Sequence, residues 1–420
     1  MTDWQHGFYK LSADDRRQQL TEARHLSPME EHVLANTSSD LGDELVENYI
    51  TDYSLPEGVA LNITVNNRPY VVPMVVEEPS VIAAASNGAH RVSRSGGFNA
   101  PQQDRQLVGQ VVLDDVSDKA AVTSWLLEHQ DEILTIANQA HPSMQARGGG
   151  AKSMKVRTPG DFISVDLGID VCQAMGANSV NTMAEAVGKW LTDQGFHVIT
   201  AILSNLATQS LQTATCKVAF RYLATTEMDG KEVAQRIARL SDLAQVDPYR
   251  AATHNKGIMN GIDAVMIASG NDWRAIESGA HSYAARDGQY RGLSTWEIQD
   301  GYLVGKIVLH LPVGVIGGSI GLNKMTKINY HISQIKSAEE LAAVTASVGL
   351  AQNLAALRAL TTTGIQAGHM KLQYRSLAAS VGATPAEVPL VVAQLKQQSH
   401  VDQALAKEIL STIRKDQVND

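Results

Sequence analysis

The segment from Ile163 to Asp170 limits the possible folds of this chain more than any other feature. Apolar residues occupy every second position, and serine, glycine or aspartate stands between them. This alternation predicts a strand with one buried face and one polar face. Apolar residues then recur at helical spacing from Val180 to Leu191, and Phe196 to Leu203 has the pattern of another strand. The succession of strand, helix and strand predicts an α+β unit.

Two earlier elements complete this unit. Leu107 to Leu113 has the composition of a strand, and an Ala/Leu-rich helix is predicted near Lys119 to Gln139, so the order is β-α-β-α-β. Because 420 residues exceed one typical core, we predict a large mixed α/β domain with this unit inserted in it. The predicted boundaries are 1–105 and 205–364 for the large domain, 106–204 for the small one and 365–420 for a helical C-terminal flap.

An acidic pair, Glu77-Glu78, lies at a predicted junction between a strand and a helix. Leu61 to Val76 has the pattern of two strands around the turn Asn66-Asn67. The second strand ends at Glu77-Glu78-Pro79-Ser80, and the small residues from Val81 to Ser86 predict a closely packed helix. Glu78 is therefore expected at the point where the strand becomes a helix.

Composition and charge argue against several classes of function. The formal net charge of −9 and the absence of a dense Lys/Arg run speak against a nucleic-acid partner. Cys172 and Cys216 are the two cysteines and have no CxxC spacing, so neither a disulfide framework nor a metal site is predicted. No apolar signal region and no membrane-spanning stretch is evident. We expect a cytoplasmic protein without a membrane anchor.

Common nucleotide-binding and zinc-protease fingerprints are absent. The chain contains no GxGxxG, GxxxxGK[ST] or HExxH. Ala174 to Asn178 nevertheless joins the alternating strand to the next helix with small residues, which let backbone N–H groups approach a pyrophosphate. A tight structural turn has the same composition and is more frequent, so the pattern alone leaves both interpretations open.

The stretch from Asp247 to Arg274 concentrates polar groups inside an apolar region. Glycines punctuate His254-Asn255-Lys256-Gly257 and Asn260-Gly261, and we predict turns that expose polar side chains to a shared space. A lysine kept charged by an aspartate, such as Lys256 beside Asp272, can stabilise an oxyanion. A structural ion pair between two loops explains the same residues equally well.

Taken together, these segments resemble 3-hydroxy-3-methylglutaryl-coenzyme A (HMG-CoA) reductase, most closely the soluble bacterial class II enzymes. The likeness extends from about residue 45 to 375, and the first forty residues hardly match. The segments that carry it are Glu47-Asn48-Tyr49, Glu77-Glu78-Pro79-Ser80, Ala174 to Asn178, Asp247 to Asp263, Gly270 to Arg274 and Gly368-His369-Met370. The resemblance implies two hydride transfers from a reduced nicotinamide, which convert the thioester of HMG-CoA into mevalonate and free CoA.

The resemblance also implies roles for individual residues. Lys256 would stabilise the oxyanion, and Asp272 would hold that lysine charged and oriented. Glu78 would donate a proton in reducing the aldehyde, and His369 would protonate the leaving CoA thiolate. The residues expected to bind the acyl part of the substrate or the region near its thioester are Ser80, Arg250, Asn205 and Asn271.

The small domain is expected to be a ferredoxin-like, non-Rossmann fold that binds the nicotinamide cofactor. His141 stands where members that prefer NADH carry an acidic residue, and Arg147 or Lys152 could pair with a 2′-phosphate. The preferred cofactor is therefore expected to be NADPH, with NADH possible and no metal. The remaining residues expected to contact the cofactor are Asp170, Met175, Gly176, Ala177 and Asn178.

By the same resemblance the protein is a homodimer whose sites form across the subunit interface. Glu78 and Lys256 are expected to come from different subunits, and the flap is expected to close over the ligands. Two alternatives stay open. The first is the reverse reaction, NAD-dependent oxidation of mevalonate. The second is a catalytically silent protein that binds acyl-CoA thioesters.

Overall fold

The computed structural model describes residues 4–39, 41–102, 105–362, 364, 374–398 and 401–419. The chain forms two compact units, one ending at Pro56 and the other beginning at Glu57. The strands are β1 (Glu57–Val65), β2 (Arg68–Val75), β3 (Phe98–Asn99), β4 (Gln106–Asp114), β5 (Gly150–Arg157), β6 (Ile163–Asp170), β7 (His197–Gln209), β8 (Leu211–Ala219), β9 (Ser294–Gln299) and β10 (Tyr302–His310).

Helices account for most of the other described residues. They are α1 (Ala13–Arg24), α2 (Pro28–Asn36), α3 (Gly42–Leu45), α4 (Val81–Ser93), α5 (Lys119–Glu128), α6 (Gln130–Ala140), α7 (Pro142–Ala146), α8 (Ala177–Asp193), α9 (Gly230–Val246), α10 (Pro248–Ala268), α11 (Trp273–Ala284), α12 (Lys324–Ser333), α13 (Ala338–Thr361), α14 (Val388–Leu395) and α15 (Gln403–Asn419). Short 3-10 turns occur at Phe8–Lys10, Phe220–Tyr222 and Gly318–Gly321.

The first unit is helical and is held together by one buried arginine. Ser12 and Ser27 cap α1 and α2, and Ser27 forms a full capping box with Glu30. The Arg16 guanidinium is almost completely buried, where it pairs with Asp43 and donates to the backbone carbonyl of Tyr49. Burial of the charge is tolerated because these acceptors surround it.

The larger sheet belongs to the second unit and has the strand order β2-β1-β3-β8-β10-β9. Its first two strands form the predicted hairpin, with Asn66 and Asn67 at φ 50° and 66°. Two positive φ values in a two-residue turn match the twist of the strands, and asparagine tolerates them better than most residues. Glu78 follows this hairpin at the predicted junction with α4.

Helix α13 forms the centre of the large core. It packs against α4 and α10 through small and aliphatic residues, and 83% of its most apolar window is buried inside the protein. It is the one described helix that is long and apolar enough to cross a membrane. Its burial identifies it as a core helix.

The smaller sheet has the order β5-β6-β4-β7 with antiparallel neighbours. Its elements follow one another as β4, helices, β5, β6, α8 and β7, which is the β-α-β-β-α-β arrangement of the expected ferredoxin-like fold. The β-α-β-α-β prediction missed β5 (Gly150–Arg157). The predicted helix at 119–139 is divided at His129 into α5 and α6.

The prediction of turns between Asp247 and Ala268 is wrong, because this stretch is one continuous helix, α10. Asp247 caps its first turn, and Pro248 occupies a position that needs no N–H donor. Gly261 lies where α10 approaches Val348 and Gln352 of α13. A Cβ atom at position 261 would stand 3.2 Å from both side chains, so a glycine permits this close packing. Tertiary packing therefore overrides the local preference of glycine for turns.

Candidate active site

A cleft of about 470 Å³ lies between α4, α10 and α13, and we call it the lysine cleft. Glu78 and Ser80 border it from the β2–α4 junction, and Arg250 and Lys256 border it from α10. The α13 side of the cleft is mostly apolar, with Ala355, Ala356, Leu357 and Leu360. The cleft therefore combines a few polar groups with an apolar wall, as small-molecule sites commonly do.

Lys256 and Glu78 form an ion pair in this cleft. The Lys256 ammonium donates to the Glu78 carboxylate at 2.8 Å, and the side chains are 63% and 34% exposed. Ser80 has φ 79°, a left-handed conformation that is unusual for a residue with a side chain. Such strain is concentrated at functional sites, and here it shapes the turn that carries Glu78.

The buried end of the lysine cleft holds a histidine that stays uncharged at neutral pH. His254 is 3% exposed, and its Nε2 lies 2.7 Å from Ser294 Oγ and 3.2 Å from Asn353 Nδ2. Burial, assisted by the nearby Arg250 guanidinium, lowers the pKa of His254 to about 4. Arg250 also borders the cleft, and its Nε has no hydrogen-bond partner in the described structure.

A second cleft of about 450 Å³ lies between the start of α8 and the start of α11, and we call it the glycine cleft. It is bordered by residues 174–179 at the start of α8, by residues 270–274 at the start of α11, and by the loop around Ile316–Gly318. Its polar and apolar surfaces thus come from three separate segments of the chain.

Backbone geometry at the start of α8 suits an anionic ligand. Gly176 is the N-cap residue with φ +87°, and no side chain caps the helix. A Cβ atom at Gly176 would lie 2.3 Å from Val171, so only glycine fits. Uncapped N–H groups at the end of a 17-residue helix carry partial positive charge and can bind a pyrophosphate. The residues present therefore fit a dinucleotide. Met175, Gly176, Ala177 and Asn178, which the sequence analysis assigns to the cofactor, all border the cleft.

The expected contact between Lys256 and Asp272 within the chain is absent. Asp272 borders the glycine cleft, is exposed, and accepts a hydrogen bond from the Ala275 N–H at 3.1 Å as the N-cap of α11. The partner of Lys256 is Glu78 of the same chain, so the expectation that these two come from different subunits is wrong for this contact. The lysine and glycine clefts share no bordering residue.

The other residues predicted to bind the cofactor do not border the glycine cleft. His141 Nε2 is 3.1 Å from Ser179 Oγ, and Ser179 borders the cleft. Asp170 accepts from the Cys172 N–H at 2.8 Å and thereby shapes the turn after β6. Lys152, on β5, donates to the Gly148 carbonyl, and Arg147 directly precedes Gly148.

Two predicted substrate contacts have other surroundings. The amide of Asn271 is used by the protein itself, since it donates to the Gly314 carbonyl at 3.0 Å and accepts from the Gly314 N–H at 2.8 Å. Asn205 lies exposed on β7 and does not border either cleft. His369 lies outside the described residues.

Some bordering residues were not predicted to bind a ligand. Arg274 is the one Lys or Arg among the described residues bordering the glycine cleft, and its guanidinium lies over the Trp273 ring at 5.3 Å. Ser179 was not predicted, because a serine that follows Ala-Asn forms no recognisable binding motif. Groups of three or more potential metal ligands are absent from the described part of the chain.

Residues 12–374 match the family model described as hydroxymethylglutaryl-coenzyme A reductase. The chain belongs to this family. The resemblance stated above is confirmed, and so is the expected enzyme class, an oxidoreductase. The matched region begins earlier than expected, at residue 12 instead of about 45.

Relatives of known name agree with this assignment. The chain is 44% identical to 3-hydroxy-3-methylglutaryl-coenzyme A reductase of Archaeoglobus fulgidus, over 97% of this chain and 94% of the relative. It is 31% identical to the probable reductase of Borreliella burgdorferi, over 88% and 85% of the two chains. Among solved structures, the class II reductase from Streptococcus pneumoniae bound to NADPH in open conformations matches with a TM-score of 0.76 and 45% identity, over 96% of this chain and all of that one.

Proposed function

We propose that this protein reduces HMG-CoA to mevalonate and free CoA with two equivalents of NADPH, in the mevalonate pathway of isoprenoid biosynthesis. Membership of the reductase family supports the reaction. Within the structure, the observation that carries it is the Lys256–Glu78 pair beside Arg250 in one cleft. An ammonium, a carboxyl group and a guanidinium are the groups that reduction of a thioester bearing a free carboxylate requires.

Each group in the lysine cleft has a distinct role in this proposal. The Lys256 ammonium donates to the carbonyl oxygen and stabilises the negative charge that develops on it. Glu78, at 2.8 Å from that ammonium, takes up a proton from solvent before the aldehyde is reduced and then donates it to the same oxygen. Arg250 receives the substrate carboxylate in a bidentate contact. Ser80, at the β2–α4 junction, borders the same cleft.

The glycine cleft is the proposed cofactor site. A bound reduced nicotinamide would supply the hydrides. The α8 N–H groups and Gly176 hold the pyrophosphate, and Arg274 offers a cation for a phosphate. His141, next to Ser179, replaces the carboxylate expected in NADH-preferring members, so NADPH is the favoured cofactor.

We further propose that the working unit is a cytoplasmic homodimer. Asp272 and Lys256 border different clefts of one chain, and this separation supports a contact between them across two copies. In this arrangement the lysine cleft of one subunit faces the glycine cleft of its partner, and water is displaced from the exposed Lys256 and Glu78. His369 then protonates the CoA thiolate from the C-terminal flap.

The proposed function is tested by following absorbance at 340 nm with purified protein and HMG-CoA, with NADPH and NADH in parallel. We expect substrate-dependent oxidation that is faster with NADPH and is abolished in Lys256→Ala. Oxidation that favours NADH would contradict the cofactor assignment and support the catabolic direction. A folded protein that oxidises neither cofactor would refute the reductase function and favour a silent acyl-CoA binder.

A further inference from the structure

One mostly buried arginine connects three segments of the chain next to the glycine cleft. Arg105 directly precedes β4, and its guanidinium donates to the Cys172 carbonyl at 3.1 Å and to the Val313 carbonyl. The same guanidinium lies 3.7 Å from a carboxylate oxygen of Glu339, in the first turn of α13. Arg105 therefore ties the turn after β6 to the 313–316 segment and to the core helix.

The Gln173 side chain reinforces this connection. Its amide nitrogen donates to the two carboxylate oxygens of Glu339 at 3.1 and 3.2 Å, and its amide oxygen accepts from the Ala338 N–H at 2.7 Å. Glu339 is thus shared by Arg105 and Gln173. The guanidinium, the carboxylate and the amide form one polar network, which we call the Arg105 network.

The Arg105 network lies directly behind the segments that border the glycine cleft. Ala174 pairs with Ile316 in a parallel β-bridge, and a Cβ atom at Gly314 would stand 2.3 Å from the backbone nitrogen of Met175. Gly314 also exchanges two hydrogen bonds with the Asn271 amide. Residues from all three bordering segments are therefore connected through the backbone that Arg105 bonds.

We infer that Arg105 is a positioning residue, which holds the start of α8 against residues 270–274 and so sets the affinity for the cofactor. Arg105 does not border the cleft, and it acts through the Cys172 and Val313 carbonyls. This role rests on the proposed function, which assigns the glycine cleft to NADPH. Groups that contact a ligand keep their geometry only when the groups packed behind them are fixed.

The shape of the guanidinium explains why an arginine serves here. Its planar fork offers five N–H donors in fixed directions, so one side chain bonds two carbonyls and faces a carboxylate at the same time. A lysine ammonium is a point charge on a flexible stem and cannot hold the same three partners in one geometry.

The test measures the Kd for NADPH, by equilibrium titration of nicotinamide fluorescence, and both KM values in Arg105→Met and Arg105→Lys. Methionine fills the space but has no donor, so Kd and KM for NADPH should rise about tenfold or more, and KM for HMG-CoA should change by less than about twofold. Lysine keeps the charge beside Glu339 and should recover part of the lost affinity. If Arg105→Met does not fold, Arg105→Lys decides, because a Kd equal to that of wild type refutes the role.

Arg157→Met is the matched control. Arg157 lies on β5 of the smaller sheet, where its guanidinium donates to Asp166 at 3.0 Å and to Ser164 at 3.3 Å. Its loss should lower the temperature of thermal unfolding and leave the Kd for NADPH unchanged. Equal effects of Arg157→Met and Arg105→Met on this Kd would refute the positioning role, and so would a loss of stability in Arg105→Met without any change in Kd.

Equilibrium binding also separates this inference from the proposed function. Wild-type protein that binds NADPH but does not reduce HMG-CoA would refute the proposed function, and the Kd values of the variants would still decide the role of Arg105. An active enzyme in which Arg105→Met binds NADPH as wild type does would refute the positioning role alone. Wild-type protein that does not bind NADPH would refute both.

Discussion

Single residues in this protein show how burial decides the charge of a side chain. His254 and His310 both lie within the core, and burial lowers the pKa of each to about 4. Lys256, two positions after His254 on the same helix, is 63% exposed. Helix α10 thus carries a neutral imidazole on its buried face and an ammonium on its exposed face.

The buried histidines predict loss of stability in acid. A histidine whose pKa is lower in the folded state than in the unfolded state stabilises the protein above pH 6.5, and this contribution is lost as the pH falls toward 4. The loss from His254 should reach up to about 3 kcal/mol in the free energy of unfolding. Urea unfolding of His254→Gln between pH 7 and pH 4 should show a shallower pH dependence than wild type. His331→Gln, at an exposed position of α12, should keep the wild-type slope.

The choice of cofactor is also expected to depend on a single residue, His141. An aspartate there would place a carboxylate next to Ser179 and would repel a 2′-phosphate. In His141→Asp the ratio of kcat/KM for NADPH to that for NADH should fall about tenfold or more. His141→Asn removes the imidazole without adding charge and should change the ratio less. An unchanged ratio in His141→Asp would show that this position does not select the cofactor.

Among the elements, the start of α8 carries the most specific constraint. Gly176 must take a positive φ and must also leave room for Val171, whereas Gly195, just after the end of the same helix, has a similar φ of +89° but open space around it. A substitution at Gly195 therefore tests backbone strain alone, whereas a substitution at Gly176 tests backbone strain together with a clash beside the ligand.

Gly176→Ala is expected to raise KM for NADPH about tenfold or more, with a smaller effect on KM for HMG-CoA, because the displaced turn moves the α8 N–H groups away from the pyrophosphate. Gly195→Ala carries the same conformational cost, about 1 kcal/mol, and should lower stability without changing either KM. Steady-state kinetics at pH 7, with thermal unfolding in parallel, measures both. Equal effects of the two variants on KM for NADPH would contradict the assignment of the glycine cleft.

For the whole molecule, the separation of the two clefts has a direct consequence. If the active site forms between two subunits, the Lys256 and the Asp272 that act together in one site come from different chains. A heterodimer of Lys256→Ala and Asp272→Ala chains then has one site with both wild-type residues and one site that lacks both.

Mixing these two inactive variants should therefore restore activity. With random association of equal amounts, about half of the dimers are heterodimers and one of their two sites is intact, so about one quarter of wild-type kcat should return. The control mixes Lys256→Ala with Glu78→Gln. Both residues lie in the lysine cleft of one chain, so each heterodimer site lacks one of them and activity should stay low. No recovery in the first mixture would refute the interfacial site.

The sequence by itself determined the local elements and the identity of the family. The alternation at 163–170 and the turn Asn66-Asn67 predicted β6 and the first hairpin, since side-chain period and turn chemistry act over a few residues. The motifs around Glu78, Lys256 and Asp272 were recognisable because their residue types and order are themselves distinctive.

Only the tertiary structure decided how those residues are distributed in space. Gly261 of α10 lies in close contact with α13, and from this continuous helix Lys256 meets Glu78 while Asp272 borders another cleft. Burial and long-range contact set these relations, and neither is encoded in the spacing of residues along the chain.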